Sequence, residues 1–398
     1  MNSRYTKDFL IVTLINFFII LNFYLLVVII SVFAMESFNS TPSEAGLATS
    51  IFVIGALVAR LFSGKWIEQI GRKKMLYTGL ILGLAMTLLY LGINGVKFLI
   101  AIRFLHGVAY GIASTATGTI VANIIPKERR GEGLGYFMLS VTLAMAIGPF
   151  LGIFISQHGS FNMLFIACAI SAALSLVSAS FLSVPEIILT KEQIEEMKGF
   201  KLNNIFEAKA IPISIVCAVL YVSYSSVISF LAAYTKEIHL VDAASFFFIV
   251  VATVIFISRP FTGRLFDSKG ENFIMYPAFL IFMMGMIILS QTHHGYTLLL
   301  SGAFIGFGLG VIQSSGQAIA VKETSQHRLG LANSTYFILL DLGVGIGPFI
   351  LGKFIPFTGY RGIYIAMAIV AFACIFLYYL LHGKKAVPKK IEKISAGR

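Results

Sequence analysis

Twelve long apolar stretches, separated by short charged or glycine-rich breaks, make up most of this sequence of 398 residues. A helix needs about 20 apolar residues to cross the hydrocarbon core of a bilayer, and the stretches are about that long. Charged residues amount to only 12% of the chain, too few to cover a water-facing surface, which argues against a soluble enzyme. The pattern predicts an all-α membrane protein. Its twelve predicted transmembrane helices are residues 9–34, 44–69, 75–94, 97–122, 134–157, 161–184, 211–235, 243–266, 273–291, 296–321, 330–353 and 361–382.

One long polar connection interrupts these spans near the middle of the chain. It predicts an N-terminal six-helix bundle (1–184), a cytoplasmic linker (185–209), a C-terminal six-helix bundle (210–383) and a basic cytoplasmic tail (384–398). Each half is long enough for six spans and for little else. The protein is therefore predicted to consist of two bundles of equal helix number.

The basic residues predict the orientation of the chain. Twenty-three lysines and arginines fall on the side of the spans that carries both termini, against four on the other side. Under the positive-inside rule both termini face the cytoplasm, and the protein is a multi-pass protein of the cell membrane. Because the basic residues lie in short loops, the net charge of +12 does not indicate nucleic-acid binding.

The two halves repeat one another at an offset of 199 residues. The matched segments are Arg60–Gly71 with Arg259–Gly270, Gly107 and Gly111 with Gly306 and Gly310, Gly131 with Gly330, and Gly148–Phe150 with Gly347–Phe349. The offset spans an even number of helices, so the repeats are parallel. Two parallel repeats that face each other across a central cavity are the architecture of a secondary transporter.

Several motifs fall at corresponding places of these spans. The connection after span 2 reads G-K-W-I-E-Q-I-G-R-K from Gly64, and a degenerate copy from Gly263 follows span 8. Span 4 contains L-x-x-x-R-x-x-H-G from Leu99, and span 5 contains G-P-x-x-G from Gly148. With these motifs the chain resembles the major facilitator superfamily over essentially its whole length, and within it the twelve-span drug:proton antiporters. It departs from that pattern by a glutamate at position 68, by His106 and by the missing outer glycines of the span 5 motif.

The resemblance implies a charged latch at the cytoplasmic mouth that holds the outward-facing state. The predicted gate residues are Gly64, Glu68, Gly71, Arg72, Asp267, Arg60 and Arg259. The carboxylate of Glu68 can pair with a basic side chain or with a helix N-terminus of the other bundle. The alternatives are that Arg72 is only a positive-inside residue and that Arg60 and Arg259 are structural.

A glycine–proline pair recurs in spans 5 and 11, at Gly148–Pro149 and Gly347–Pro348. Proline removes a hydrogen bond from a helix, and glycine lets a neighbouring helix approach closely. Each pair is therefore predicted to be a hinge or a packing notch. The duplication favours a structural role over direct contact with substrate.

Ionisable residues inside a membrane are costly and are therefore candidates for function. In span 4, Arg103, His106 and Tyr110 lie on one helix face with two later hydroxyl residues, and this stripe is predicted to line the cavity or a helix contact. The resemblance links the arginine of span 4 to proton coupling, and the alternative is a structural role in which Arg103 pairs with backbone carbonyls. His106 is predicted either to take part in coupling or to be a hydrogen-bonded structural histidine. Asp341, the acid well inside a span of the C-terminal half, is predicted to carry the proton, pair with an arginine or contact substrate, with a packing role as the alternative.

Further polar side chains are predicted to line the cavity, although aromatic and amide groups also join helices to one another. These candidates are Asn16, Tyr24, Tyr221, Tyr224, Gln313 and Gln317.

The function classes can be narrowed by motif. No phosphate-binding loop, HExxH or CxxC motif occurs in the sequence, so we expect no nucleotide, metal or other cofactor. The expected partners are a small-molecule substrate, protons and membrane lipids, with the protein as a monomer; a lipid flippase of the same fold stays an alternative.

The class of substrate is predicted from the charges inside the spans. Spans 1, 2 and 4 offer arginines and no buried acid, which favours a solute with carboxylates. Relatives in this branch export opine-type metallophores or drugs. We therefore expect export of a carboxylate-bearing metabolite, with multidrug efflux as the alternative.

Overall fold

The computed structural model describes residues 3–27, 29–40, 42–184, 205–322 and 324–386. Within these ranges the chain forms helices and no strand. The thirteen α-helices are α1 (Ser3–Val27), α2 (Ile30–Phe38), α3 (Pro42–Ile70), α4 (Arg72–Leu89), α5 (Val96–Ile124), α6 (Arg130–His158), α7 (Phe161–Ser180), α8 (Ile211–Glu237), α9 (Val241–Lys269), α10 (Glu271–Ser290), α11 (Gly295–Lys322), α12 (Leu329–Gly352) and α13 (Ile355–Leu381).

Twelve of the helices in these ranges are long and apolar enough to cross a membrane, and this confirms the predicted number of spans. The exception is α2, which has 9 residues and lies in the first predicted span. That span is therefore two helices and not one. The interruption coincides with four consecutive β-branched residues, Val27–Ile30, whose helix propensity is lower than that of leucine. From α3 on, each helix αn corresponds to predicted span n−1. The predicted linker lies outside the described residues over 185–204, and the tail over 387–398.

Each half packs its helices in the same way. Helices α1, α3, α4, α5 and α6 pair as α3 with α5, α4 with α5 and α1 with α6. The corresponding pairs of the second half, α9 with α11, α10 with α11 and α8 with α12, are likewise in contact. The repeat seen in the sequence is thus a repeat of packing.

The halves meet through smaller contacts of α6 with α11 and of α5 with α12, and mainly through two equivalent helix pairs, α6 with α9 and α3 with α12. In repeat terms, each pair joins the fifth span of one half to the second span of the other. The interface consequently has an approximate two-fold symmetry, and any contact in one pair has a counterpart position in the other.

The glycine–proline pairs allow close helix contacts. A Cβ atom on Gly148 of α6 would collide with Cβ of Tyr24 in α1, and one on Gly347 of α12 would collide with Oγ of Ser225 in α8. Pro149 lies inside α6, whereas the side chain of Pro348 lies outside the described residues. These contacts support the packing notch, and the hinge stays a prediction.

Gly148→Ala should destabilise the protein, because a methyl group has no space between α6 and α1. Overpacking of this kind costs about 1–3 kcal/mol, which thermal unfolding of the purified protein in detergent detects as a lower Tm. Gly345→Ala is the matched control, since a Cβ there meets no atom within 4 Å. Equal Tm values for the two variants would contradict the packing role.

Candidate transport cavity and gate

A cavity of about 250 Å³ lies between the two halves. Its wall is mainly apolar, with aromatic rings and methionine side chains from both halves. The bulky groups on its wall are Phe23, Tyr24, Phe52, Tyr110, Phe137, Tyr221, Tyr224, Phe337, Met138 and Met145. Polar groups that were predicted from the sequence also line it, namely Asn16, Arg60, Gln313 and Asp341. A small solute is therefore surrounded by rings and by a few fixed polar groups.

An ion pair between Arg60 of α3 and Asp341 of α12 joins the halves inside this cavity. Among the described lining residues these two carry the charges. Arg60 also donates Nη2 to Oγ of Ser114 at 3.2 Å and Nη1 to the carbonyl oxygen of Phe337 at 3.4 Å. Asp341 has 28% of its side chain exposed, against 3% for Arg60. The carboxylate is therefore the partner that water and protons from the cavity can reach.

Ser334 reinforces this contact one helical turn before Phe337. Its hydroxyl donates to the backbone carbonyl oxygen of Arg60. The three residues Ser334, Phe337 and Asp341 thus place one face of α12 against Arg60. Movement of α12 away from α3 breaks all of these contacts together.

Asn16 is held at the N-terminal side of the cavity by two hydroxyl groups. Its Nδ2 donates to Oγ of Ser140 at 2.9 Å, and its Oδ1 accepts from Oγ1 of Thr117 at 2.9 Å. These bonds join α1, α5 and α6. The amide is accordingly satisfied within its own half, so its direct contact with substrate stays a prediction.

Arg103 and His106 do not line the cavity and lie in helix contacts, the second of the two places that the sequence left open for the polar stripe of span 4. Nε of Arg103 donates to the carbonyl oxygen of Ala48 at 3.0 Å, and the guanidinium lies 4.5 Å from the centre of the Phe52 ring. Nδ1 of His106 lies 3.1 Å from the hydroxyl of Tyr90. Both side chains are buried inside the N-terminal bundle.

The residues of this stripe have different surroundings because the stripe extends over several turns of the helix. Tyr110 and Ser114 reach the cavity, whereas Arg103 lies two turns, about 10 Å, nearer the predicted outer end. There α3 covers it. Periodicity predicts the face of a helix on which a side chain lies, but not the depth at which the facing helix closes over it.

Gln313 and Gln317, predicted together from the sequence, also have different surroundings. Gln313 lines the cavity, while Gln317 is buried and donates Nε2 to Oδ1 of Asn333 at 2.8 Å. This bond joins α11 to α12 within the C-terminal half. Gln317 is therefore placed in a helix contact, which is the alternative that the sequence left open for it.

Glu68 closes the predicted cytoplasmic end between α3 and α12. Its Oε1 accepts the backbone N–H of Gly330 at 2.9 Å, at the start of α12. Arg72 donates Nη2 to Glu68 at 3.0 Å and to the carbonyl oxygen of Gln326 at 2.7 Å. The turn after α3 requires Gly71, which has a φ of 111°. A carboxylate at a helix N-terminus is stabilised by the unpaired N–H groups and the helix dipole.

Asp267 makes the counterpart contact between α9 and α6. Its two oxygens accept the backbone N–H groups of Gly131 at 2.9 Å and of Glu132 at 2.8 Å. Gly64 and Gly263 make both contacts possible, because a Cβ on either would come within 3 Å of backbone atoms of the opposite half. We call these two carboxylate-to-helix contacts, through Glu68 and through Asp267, the twin latches.

Two gate residues were missed by sequence reasoning. Arg130 donates Nη1 to the carbonyl oxygen of Val321 at 2.9 Å, across the halves. Glu132 receives Arg129 at 2.6 Å and Arg264 of α9 at 3.1 Å. The sequence contains a signal for both residues, because each is adjacent to Gly131. The repeat counterpart of Gly131 is Gly330, whose N–H donates to Glu68.

A cavity between two equivalent bundles, closed at one end by paired latches, defines a membrane transporter. A family model for the Major Facilitator Superfamily matches residues 12–295 and 277–397. The chain therefore belongs to this superfamily, and it is a transporter rather than an enzyme.

Three relatives match most of the chain. An MFS-type transporter of Methanocaldococcus jannaschii is 24% identical over 353 residues, or 87% of this chain and 90% of the relative. The multi-drug resistance efflux pump PmrA of Streptococcus pneumoniae is 26% identical over 358 residues, or 83% and 84% of the two chains. The staphylopine export protein of Staphylococcus aureus is 20% identical over 373 residues, or 89% and 91%.

Solved structures agree on the fold. The proton:xylose symporter XylE superimposes with a TM-score of 0.78 at 14% identity and covers 95% of this chain and 96% of its own. The human organic anion transporter MFSD10 gives a TM-score of 0.77 at 15% identity, with 94% and 100% covered. Both confirm the predicted architecture of two six-helix halves.

Glu68→Gln should open the predicted cytoplasmic end more often, because the amide keeps the shape of the carboxylate and loses its charge. A hydrogen bond to a charged group contributes about 1.5–3 kcal/mol, so the closed state should weaken about tenfold or more. The measurement is the rate at which a thiol reagent, added from that end, labels a cysteine placed at Met138 in the cavity. The native Cys168, Cys217 and Cys374 are buried and give little background.

The matched control for this prediction is Glu128→Gln, an acid in an exposed turn near the same end. Asp267→Asn should raise the labelling rate as Glu68→Gln does. Labelling rates equal to that of Glu128→Gln would show that the latches do not hold the gate.

Proposed function

We propose that this transporter exports a small polar carboxylate-bearing metabolite, such as an opine-type metallophore, in exchange for protons across the cell membrane. The observation that carries the coupling is the ion pair between Arg60 and Asp341. It joins the halves at the cavity, and its acid is accessible while its base is not. A proton that binds Asp341 therefore acts directly on the interface between the halves.

The physical argument follows from charge pairing in a medium of low dielectric. Two opposite charges between helices stabilise the closed end only while both are present, and an arginine stays protonated. Protonation of Asp341 removes the counter-charge of Arg60 and weakens the contact between α3 and α12. The closed inner end then opens, the proton leaves on that side, and the re-formed pair closes the end again.

In this cycle the twin latches close the gate at two places. Each latch holds the N-terminus of a helix whose other residues line the cavity, through Gly330 in α12 and Gly131 in α6. Because α12 carries both a latch contact and Asp341, the two must open together. Proton binding in the cavity is thereby linked to the opening of the gate.

The balance of charge near the cavity supports a solute with carboxylates. Arg60 and Arg259 lie at repeat-equivalent positions, and Asp341 neutralises one of them. The excess of positive charge favours an anionic group, for which arginine offers paired donors. The relation to the staphylopine export protein supports the same class of solute. Arg103, on which the sequence argument also relied, does not line the cavity and lies behind the ring of Phe52.

Multidrug efflux is the second candidate, and the wall of the cavity favours it. Aromatic rings and methionine side chains adapt to apolar solutes of different shapes. The relation to the efflux pump PmrA supports this alternative. Two measurements on wild-type and deletion cells separate the candidates: the metabolites in the medium and the efflux of a cationic dye. A carboxylate metabolite that is missing from the medium of the deletion cells supports metabolite export. Loss of dye efflux from the deletion cells supports multidrug efflux.

Asp341→Asn should abolish transport driven by a pH gradient and spare counterflow, because counterflow needs no net movement of protons. The measurement is uptake of a radiolabelled opine into inverted vesicles, with and without a pH gradient. Asp242→Asn, in the exposed first turn of α9, is the control and should keep both activities. Gradient-driven transport by Asp341→Asn would remove this residue from the coupling role.

His106→Gln should retain gradient-driven transport in the same vesicles. The ring lies outside the cavity and contacts Tyr90, so its loss should lower stability rather than coupling. A variant that folds normally but has lost its response to the pH gradient would restore His106 as a coupling residue.

A further inference from the structure

Arg259 is a buried cation without a counter-charge in the part of the chain that the structure describes. Only 1% of the residue is exposed, and its Nε and Nη1 atoms have no hydrogen-bond partner there. Its one bond is from Nη2 to Oε1 of Gln313, at 3.3 Å. Gln313 lines the cavity, as does Ile255 one turn before Arg259 on α9. The guanidinium therefore lies directly behind the cavity wall.

The repeat explains what is missing at this position. Arg259 is the counterpart of Arg60, and Gln313 is the counterpart of Ser114, to which Arg60 donates. The counterpart of Asp341 is position 142. The residue there is Thr142, which also lines the cavity.

The backbone packing around the two arginines supports this correspondence. Ser334, at the closest approach of α12 to the Arg60 carbonyl, has Gly135 as its counterpart in α6. A Cβ built on Gly135 would lie 3.8 Å from the carbonyl oxygen of Arg259. By this correspondence, Thr142 of α6 is the repeat equivalent of Asp341 of α12, on the helix that packs against α9 next to Arg259.

We propose that Arg259, Gln313 and Thr142 form a subsite for a carboxylate group of the exported solute. The solute supplies to Arg259 the negative charge that Asp341 supplies to Arg60. This inference rests on the proposed function and adds to it the residues that select the solute.

The chemistry of the three side chains fits a carboxylate. Nη2 of Arg259 carries two N–H groups and makes one bond, to Gln313, so together with the free Nε or the free Nη1 it can present a paired edge to the two oxygens of a carboxylate. The amide Nε2 of Gln313 can donate to the same oxygens. The hydroxyl of Thr142 donates to the carbonyl oxygen of Met138 at 3.3 Å and can donate to the solute after rotation about its Cα–Cβ bond. A phosphate or sulfate group shares the charge but not the planar shape. A lipophilic cation would place like charge against Arg259, so the subsite selects against it.

The decisive variant is Thr142→Asp, which installs the acid that the second repeat lacks. The new carboxylate should pair with Arg259 and occupy the subsite permanently. Thr142→Asn is the matched control, because it has nearly the same size as aspartate and no charge. A third variant, Arg259→Lys, keeps the positive charge but loses the paired donors.

The experiment measures the affinity of the purified full-length protein for the opine N-(1-carboxyethyl)-L-alanine and for its uncharged dimethyl ester. The wild-type chain should prefer the diacid by about tenfold or more, as expected for charge-assisted bonds to a buried arginine. Thr142→Asp should reduce this preference to about twofold or less, while Thr142→Asn, which replaces one uncharged donor by another, should lower it by less than Thr142→Asp does. Arg259→Lys should reduce it severalfold, which gives the answer if Thr142→Asp does not fold.

The outcomes separate the subsite from the function on which it rests. A preference for the diacid that survives both Thr142→Asp and Arg259→Lys overturns the subsite and leaves carboxylate export standing. Equal loss in Thr142→Asn and Thr142→Asp also overturns it, since shape and not charge would then be the cause. A wild-type chain without any preference overturns both proposals.

Discussion

The ion pair between Arg60 and Asp341 is the contact on which the rest of this structure depends. A charge between membrane helices is stable only when another charge or a polar group satisfies it. Here the two partners belong to different halves, so the pair holds the halves together as well as neutralising itself. It also fixes α12 against α3 at the level of the cavity. The position of the gate and the access of protons to the acid both follow from that placement.

The twin latches show how one device serves both sides of the interface. Glu68 and Asp267 each bind the N-terminus of a helix in the opposite half, at positions related by the internal repeat. The cavity differs from the gate, because in the described part of the chain only one of the two repeat-equivalent arginines has an acid as its partner. Symmetry in the gate and asymmetry in the cavity agree with the proposed exchange, in which the gate closes as one unit while proton and solute bind at different groups.

Much of this could be predicted from the sequence. Apolar length and charge gave the spans, and the offset of 199 residues gave the equivalent helix pairs. Glu68 and Asp267 could be assigned to the gate because the motifs that contain them resemble those of the major facilitator superfamily, and the glycines of these motifs predicted a tight turn and a close helix approach. The partner of Arg60 could not be assigned, because it lies 281 residues away in another helix. The sequence could not decide between the cavity and a helix contact for Arg103, because periodicity carries no information about depth. It identified Arg259 as the repeat counterpart of Arg60 but not the side chains that surround it.

The most direct test of the account is the distance across the gate as a function of pH. Spin labels at Ile70, at the end of α3, and at Ser325, before α12, report the separation of the two halves by double electron–electron resonance. The account predicts a short distance at about pH 8 and a growing population of longer distances towards about pH 5 as the carboxylate of Asp341 is protonated. In Asp341→Asn the longer distances should be present at both pH values. The same pH-dependent shift in Asp341→Asn as in the wild-type chain would contradict the claim that this acid controls the gate.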